Sequence, residues 1–422
     1  MTTRVVVTGY GCISAAGENA QQAWQMIKQG KSAIDKIKKW DVENWPCQLG
    51  GELKDFNPRD MVLDRKLLKL LSFHDIVGLG ATRQAIEHSE LLTYRDGLAE
   101  QADFNDRVGV YVGSPGNKYH QQYDFASLLA ESKGDMKYIA TELFSHVHPM
   151  WLLRVLPNNV LAYTGVQYGF KGANQNITNH AVSGLQAIIE AYHAIKAGTV
   201  DRAVVISYDN CVEAQGSFYY GNAGLLSNTA VKPFDQDHDG TILADGAGAI
   251  LLESETAAKE RQATVYAEIL GGSSMTEAAG IFALHEDGDG LNRAIRAALH
   301  SARVGAEDVG FITAHGNGNV RSDSSEAQAI ADVFGDNTVP VTALKWAFGH
   351  TLIGSGVIET IFTLLALQDK YVPGIATLRK KAQSCQALNI SAEAQVPRSQ
   401  LAMVIARGFS SMNTCLLLKS FS

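Results

Sequence analysis

The stretch Asn176-Ile177-Thr178-Asn179-His180-Ala181-Val182-Ser183-Gly184 runs directly into Leu185-Gln186-Ala187-Ile188-Ile189-Glu190-Ala191-Tyr192. Its first part alternates as a buried strand does, and its second carries apolar residues at helical spacing, with small residues at the junction. The pattern is a strand turning sharply into a helix. Such a turn lifts one side chain to the strand tip, where a helix N-terminus favours an anion. The residue at that tip is Ala181. Standing alone, a strand-to-helix turn of small residues is ordinary α/β packing, so the rest of the chain has to supply a catalytic frame.

Outward from this elbow the chain alternates strands and helices. Towards the N-terminus, a β-branched run over 4–11 closed by glycines reads as a central strand. A helix over 21–30 follows, then a long helical pattern over 66–91 with Leu67, Leu70, Leu71, Val77, Ala81 and Ile86 facing inward, and a strand over 107–113. A polar and aromatic insertion starts at Ser114 and leads into the elbow. Beyond the elbow come apolar strands over 202–208 and 246–253. From about Ala263 the alternation starts again: a strand to Ile269, a helix over 291–302, a strand over 309–314, a helix near 326–334, a strand over 339–344, a helix over 354–367 and a hairpin pairing 401–406 with 415–419. Two successive rounds predict an α/β protein of two similar halves, 1–255 and 256–422.

Bulk properties narrow the function. The 422 residues, 46% hydrophobic and 19% charged, suffice for one large core or two medium ones. A net charge of −8 argues against general affinity for nucleic acid or anionic membranes. An acidic carrier protein could dock on a local basic patch; Arg379-Lys380-Lys381 is a candidate, beside its plainer reading as a solvated surface run. The five cysteines are scattered and lack CxxC spacing, so neither a disulfide framework nor a zinc site is expected, and a reducing cytoplasm fits. No signal peptide and no apolar run of membrane-spanning length is read from the sequence.

Three further turns follow apolar strands. Ile312-Thr313-Ala314-His315-Gly316-Asn317-Gly318-Asn319 sets a histidine in a glycine-rich turn with no bulk to bury it. Ala343-Leu344-Lys345-Trp346-Ala347-Phe348-Gly349-His350 sets a lysine and a second histidine before the small-residue helix start Gly354-Ser355-Gly356. Ala406-Arg407-Gly408-Phe409-Ser410-Ser411-Met412-Asn413 is a loop whose backbone could approach a ligand closely. One histidine after a strand means little, but four such turns at the C-terminal ends of strands fall where α/β sheets form their sites.

Together these motifs resemble a β-ketoacyl-acyl carrier protein synthase of the elongating type, in the thiolase superfamily. Residues 4–11 with Trp24 and Gly30-Lys31-Ser32-Ala33-Ile34 match its opening. Lys232-Pro233-Phe234-Asp235 through Asp239-Gly240 with Asp245-Gly246-Ala247-Gly248 match its middle. His315-Gly316 with Asp323 and Glu326, Lys345 with Gly349-His350, and Gly408-Phe409 with Asn413 complete the series. The resemblance implies a five-layered α/β/α/β/α thiolase-like fold and decarboxylative Claisen condensation. In that chemistry a cysteine takes an acyl chain from a carrier-protein thioester, two histidines assist loss of CO2 from a malonyl thioester, and the enolate attacks the acyl-cysteine. Carried over by position, the histidines are His315 and His350, the lysine is Lys345 and its carboxylate neighbour Glu326. The oxyanion donors are the backbone N–H groups of Ala181 and Phe409, and the residues at the pantetheine contacts are Asn317 and Asn319. The cysteine position, three before the elbow glycine, is Ala181.

A methyl group has no lone pair with which to attack a thioester, so condensation stops at its first step. None of the cysteines lies in the elbow; Cys211, after the strand over 202–208, reads as a buried apolar filler. Other departures cluster here: His180 stands where the family has a small residue, Ser410-Ser411 replace loop glycines, which should restrict loop movement, and Asn317 and Asn319 stand for threonines.

Three readings follow. The first is a non-catalytic chain-length factor that pairs with an active ketosynthase, as in type II polyketide or aryl polyene systems. In it the aromatic-rich segment of the 114–160 insertion, with Met150 and Trp151, forms interface or tunnel end. The second is an active condensing enzyme whose cysteine has been replaced. The third is a decarboxylase that turns malonyl carrier into primer. Each implies an acyl carrier protein with its phosphopantetheine arm, and no metal or diffusible cofactor of the chain's own.

Overall fold

The computed structural model describes residues 3–54, 56–116, 123–281 and 283–421. The first half contributes β1 (Val5–Ser14), α1 (Phe73–His88), β2 (Val108–Gly113), α2 (Asn159–Tyr168), β3 (Asn174–Ile177), α3 (Ser183–Lys196), β4 (Arg202–Asn210) and β5 (Asp245–Ser254). The second contributes β6 (Ala267–Thr276), α4 (Asp289–Ala302), β7 (Phe311–Thr313), α5 (Val320–Phe334), β8 (Val341–Thr342), α6 (Ser355–Asp369), β9 (Leu401–Gly408) and β10 (Met412–Ser420).

The strands lie in the order β3-β2-β4-β5-β1 in one half and β8-β7-β9-β10-β6 in the other. These are the same order, since β6 to β10 repeat β1 to β5 one for one. Strand directions repeat as well: β2 runs parallel to β3 and β4, as β7 does to β8 and β9, while β5 and β10 pair antiparallel with their neighbours. The halves join edge to edge through a short antiparallel register, Val5↔Ile269 to Val7↔Ala267.

Helices complete the five-layered thiolase-like architecture. α1 and α2 cover the outer face of the first sheet, α4 covers that of the second with α5 packed against α4, and α3 and α6 lie between the sheets. The two inner helices almost touch at their N-termini: a Cβ on Gly356 would lie 2.7 Å from the Leu185 nitrogen, so only glycine allows this approach. α6 is enclosed, and its residues from Ser355 to Leu367 are buried on all sides, most of them apolar. Contrary to the sequence reading, the stretch Leu352–Asp369 does have the length and composition of a membrane span, but 89% of it is buried inside the protein.

Local chemistry moved several boundaries. The helix expected over 66–91 is divided: a 3-10 turn covers Arg65–Lys69, and α1 starts only after Ser72. Ser72 makes a capping box with Asp75, each satisfying the other's backbone N–H, which fixes a start inside the periodic pattern. Leu71, Val77, Ala81 and Ile86 are buried as expected, whereas Leu67 and Leu70 are only half-buried. The strand expected over 339–344 shrinks to β8, and α5 begins at Val320, earlier than expected, capped by the Asn319 side chain on Ser322 N–H. The insertion after β2 holds helices Tyr123–Ser132, Met136–His146 and Trp151–Arg154; its residues 117–122 lie outside the described residues.

Candidate functional site: an elbow without a nucleophile facing two histidines

The elbow forms as the sequence suggests, but its strand is shorter and, lying at the sheet edge, is exposed at Asn174 and Gln175 instead of buried. β3 ends at Ile177, a 3-10 turn covers His180–Val182, and α3 begins at Ser183. Ser183 Oγ accepts from Asn179 N–H at 2.7 Å and donates to the His180 carbonyl at 2.8 Å, so the turn is stitched across its own neck. Ala181 sits at the α3 N-terminus and is 1% exposed. All five cysteines are buried; none occupies the elbow, and Cys211 packs with Leu243, Leu352 and Ile353 as an apolar filler.

The second half supplies the rest. His315 follows β7 and is 2% exposed, so the expectation of a histidine in an open turn is corrected. The Gly316 backbone, at φ +38°, brings Ala343 and Phe234 against this turn, and the strand of Arg407 covers it. His350 is likewise buried, and the two rings lie 5.2 Å apart, edge to face. Nδ1 of His315 accepts from Arg407 N–H at 3.3 Å, and Nδ1 of His350 accepts from Leu352 N–H at 3.3 Å. A neutral ring that accepts at Nδ1 carries its proton on Nε2. Both histidines therefore have an Nε2–H, the donor that a developing enolate oxygen needs. Burial first, and the Lys345 charge second, hold both imidazoles well below their ordinary pKa, which keeps them neutral.

The carboxylate beside Lys345 is Glu359, not Glu326. Lys345 Nζ donates to Glu359 Oε1 at 2.6 Å and to the His315 carbonyl at 2.7 Å. Glu326 instead accepts the His315 and Gly316 N–H groups at 2.7 and 2.9 Å. Lysine and glutamate thus grip the two ends of one peptide, and so orient the imidazole it carries. Burial pushes the Glu326 carboxyl up to about 7. Sequence reasoning missed Glu359 because it lies in an apolar helix, where nothing but its charge signals a partner.

Asp323 ties the mid-chain motif to this turn, accepting from Phe234 N–H at 2.8 Å, from Gly318 N–H at 3.2 Å, and bonding His238 Nδ1 at 3.0 Å. Other polar groups that the sequence did not single out are Tyr220, Arg407 and Glu277. Arg407 is buried, donating to Asn413, Ser322, Ser325 and Glu277.

A cavity of about 610 Å³ opens over this constellation, lined among others by His180, Tyr220, His315, His350, Arg407 and Phe409. Asn317 and Asn319 also line it, but their side-chain oxygens are engaged: Asn317 accepts from Asn319 N–H at 3.0 Å and Asn319 caps α5. Met150 and Trp151 do not line this cavity; Trp151 packs edge-on against Phe125 with ring centres 4.7 Å apart. Among the described residues no group of three His, Cys, Asp or Glu is placed to hold a metal ion. In the basic triplet the Lys381 ammonium bonds the Asn337 side chain at 3.1 Å, whereas Arg379 and Lys380 meet Asp235 through their backbone N–H groups, a contact that leaves their side-chain charges unused.

A doubled α/β fold that carries two neutral imidazoles and a buried lysine opposite a strand-to-helix elbow has the frame of a thiolase-like condensing protein. Comparison with known families agrees: residues 2–258 match the β-ketoacyl synthase N-terminal domain and residues 266–379 its C-terminal domain. The chain belongs to the β-ketoacyl synthase family. It is 29% identical to the 3-oxoacyl-[acyl-carrier-protein] synthase 2 of Staphylococcus aureus strain N315, over 99% of this chain and 98% of that protein. Among solved structures it is similar to the ishigamide ketosynthase/chain length factor, with TM-score 0.89, 26% identity and full coverage of both chains. It shares the fold of a ketosynthase in complex with its chain length factor from Xenorhabdus doucetiae, with TM-score 0.83 at 21% identity, covering 99% of this chain and 98% of that one.

Proposed function

We propose that this chain is a catalytically degenerate ketosynthase homologue that acts as a chain-length factor. In this reading it forms a heterodimer with an active ketosynthase and shapes the tunnel for a chain carried on the phosphopantetheine arm of an acyl carrier protein. The observation that carries the reading is Ala181: the position from which a nucleophile would attack holds a buried methyl group, and no free thiol lies in the elbow. The similarity to the ishigamide ketosynthase/chain length factor supports it.

The surface supports it too. Of the fifteen large hydrophobic residues exposed among the described residues, eight lie between Leu129 and Val166, in the segment that leads to the edge strand β3. An exposed edge strand beside exposed apolar helices is a surface that invites a partner. Met150 and Trp151 belong to this segment, and in the complex they would bound the growing chain; Trp151→Ala would then lengthen products, and unchanged lengths would remove the gating role.

The test is co-expression with candidate ketosynthases followed by native mass measurement. A one-to-one heterodimer is expected; a homodimer that ignores every such partner would overturn the reading. The pair His315 and His350 favours a second reading, decarboxylation of malonyl carrier, because two Nε2–H donors 5.2 Å apart in ring centre could hold an enolate without any nucleophile. Release of CO2 from malonyl carrier by the isolated chain would establish that activity. Condensation of acyl and malonyl carriers by the Ala181→Cys variant alone would point instead to an active enzyme with its cysteine replaced.

A further inference from the structure

The elbow holds one side chain in a strained place. His180 has φ +56°, in the left-handed region where a Cβ costs on the order of 1 kcal/mol or more. The Ser183 stitch fixes that backbone. Its imidazole reaches across to the loop after β9: Nδ1 accepts from Phe409 N–H at 3.4 Å, and Nε2 lies 2.6 Å from the Tyr220 hydroxyl oxygen. With Nδ1 accepting, Nε2 carries the proton and donates it to Tyr220. The Phe409 ring stacks on the imidazole, centres 4.3 Å apart and planes 19° from parallel, and also on Tyr220 at 5.6 Å. Two hydrogen bonds and one aromatic face thus hold the ring where it is.

The position matters more than the strain. Phe409 N–H is the donor this loop would offer to a thioester oxygen as it turns anionic, and that oxygen has to sit about 2.7–3.1 Å from its donors. A ring nitrogen already accepts that N–H, and the imidazole lines the cavity beside His315 and His350. We infer that His180 plugs the anion-stabilising site, so that the elbow is silenced twice: by the missing thiol at Ala181 and by an imidazole set where a thioester carbonyl would lie. The site beneath the plug takes the oxygen of a malonyl or acyl thioester. This inference rests on the reading of the chain as non-catalytic and adds a second cause for it. It predicts that His315 and His350, though a neutral pair, do not turn over malonyl thioesters while the plug is in place.

The test needs no partner and no carrier protein. The full chain is incubated with malonyl-pantetheine, and acetyl-pantetheine and CO2 are measured. In this reaction the bond from the α-carbon to the carboxylate breaks, its electron pair passes into the thioester as an enolate, CO2 leaves, and water returns a proton to carbon. Wild-type protein should give no acetyl-pantetheine above a protein-free control. His180→Gly, with glycine at ease at positive φ, should raise the rate to about 100-fold above the protein-free control, because removing the ring frees the Phe409 N–H and opens the cavity beside His315 and His350 to the thioester. Adding His315→Ala to that variant should return it to the control. Wild-type turnover equal to that of His180→Gly, or a His180→Gly variant as silent as wild type, would overturn the inference. A second measurement avoids the chemistry: calorimetry with an unreactive amide analogue of acetyl-pantetheine should show tighter binding to His180→Gly than to wild type, and equal binding would also overturn it. A chain that gains decarboxylation in this way yet joins no ketosynthase would leave the plug standing and remove only the partner reading.

Discussion

Lys345 Nζ lies 2.6 Å from Glu359 Oε1, and neither side chain has any exposure to solvent. A buried pair of this kind does little for net stability, because desolvation offsets the attraction, but removing one partner strands a charge in the core. Glu359→Leu should therefore cost about 3–5 kcal/mol. The double change Lys345→Met with Glu359→Leu should recover most of that, less roughly 1 kcal/mol for the His315 carbonyl that loses its donor. Denaturant unfolding of the four proteins in this cycle measures the coupling. Additive losses would mean that the pair is not the unit the geometry describes.

The hairpin that carries Phe409 turns on two serines with positive φ, Ser410 at +62° and Ser411 at +58°. Two consecutive left-handed residues suit glycine and burden serine. Ser410→Gly should be neutral or stabilising by up to about 1 kcal/mol. Ser411→Gly should instead destabilise, because the one O–H of Ser411, shared between the Gly280 and Ala283 carbonyls at 2.7 and 2.8 Å, is lost and both acceptors lose their donor, at about 1–2 kcal/mol. Thermal unfolding of the two single variants should therefore shift in opposite directions.

What could be read in the sequence, and what could not, divides along physical lines. Strand-helix alternation gave the doubled α/β order because hydrophobic periodicity is local. The turns at His315, His350 and Phe409 could be located because each follows an apolar strand, and the one at His180-Ala181 because the pattern changes there from strand to helix, although β3 itself, Asn174-Gln175-Asn176-Ile177, is largely polar. The Lys345–Glu359 pair and the Arg407–Glu277 pair join residues from different elements, so only the folded chain brings them together. His180 stood out as too large for its position, but nothing in the chain said that its ring would reach a backbone N–H 229 residues away. The break before α1 was available in principle, since Ser72 and Asp75 have capping-box spacing; the apolar period running through them hid it.

Acid should act on this protein through its buried imidazoles. His315 and His350 are held neutral in the folded protein well below their ordinary value, chiefly by burial, so below about pH 6.5 the unfolded chain takes up protons there that the folded chain refuses. Stability then falls as pH drops from 7 towards 5.5. Glu326 works the other way: its carboxyl is raised to about 7, so the folded state holds a proton that the unfolded chain releases above about 4.5, and its contribution weakens as pH rises through that window. Two imidazoles against one carboxyl leave a net loss on acidification. Melting temperatures of wild type and the variant with both His315→Asn and His350→Asn, compared across this range, should show the acid slope in the first and a flat or reversed slope in the second. Equal slopes would mean that the histidines are already charged in the folded protein.

Association can be separated from folding at the edge of the first sheet. Val166 on α2 is 73% exposed and Leu152, in the helix Trp151–Arg154, is 63% exposed, in the segment that leads to β3. Replacing exposed apolar side chains by aspartate changes monomer stability by only about 0.5 kcal/mol, since no packing is lost. Within an interface the same charge would be buried unpaired, at several kcal/mol. Leu152→Asp with Val166→Asp should therefore melt like wild type as a free chain but lose the ketosynthase partner in co-purification, with a shift from heterodimer to single-subunit mass. If the doubly substituted chain still bound its partner as tightly as wild type, the contact would have to lie on another face of the protein. The exposed apolar side chains on this segment would then need a different explanation.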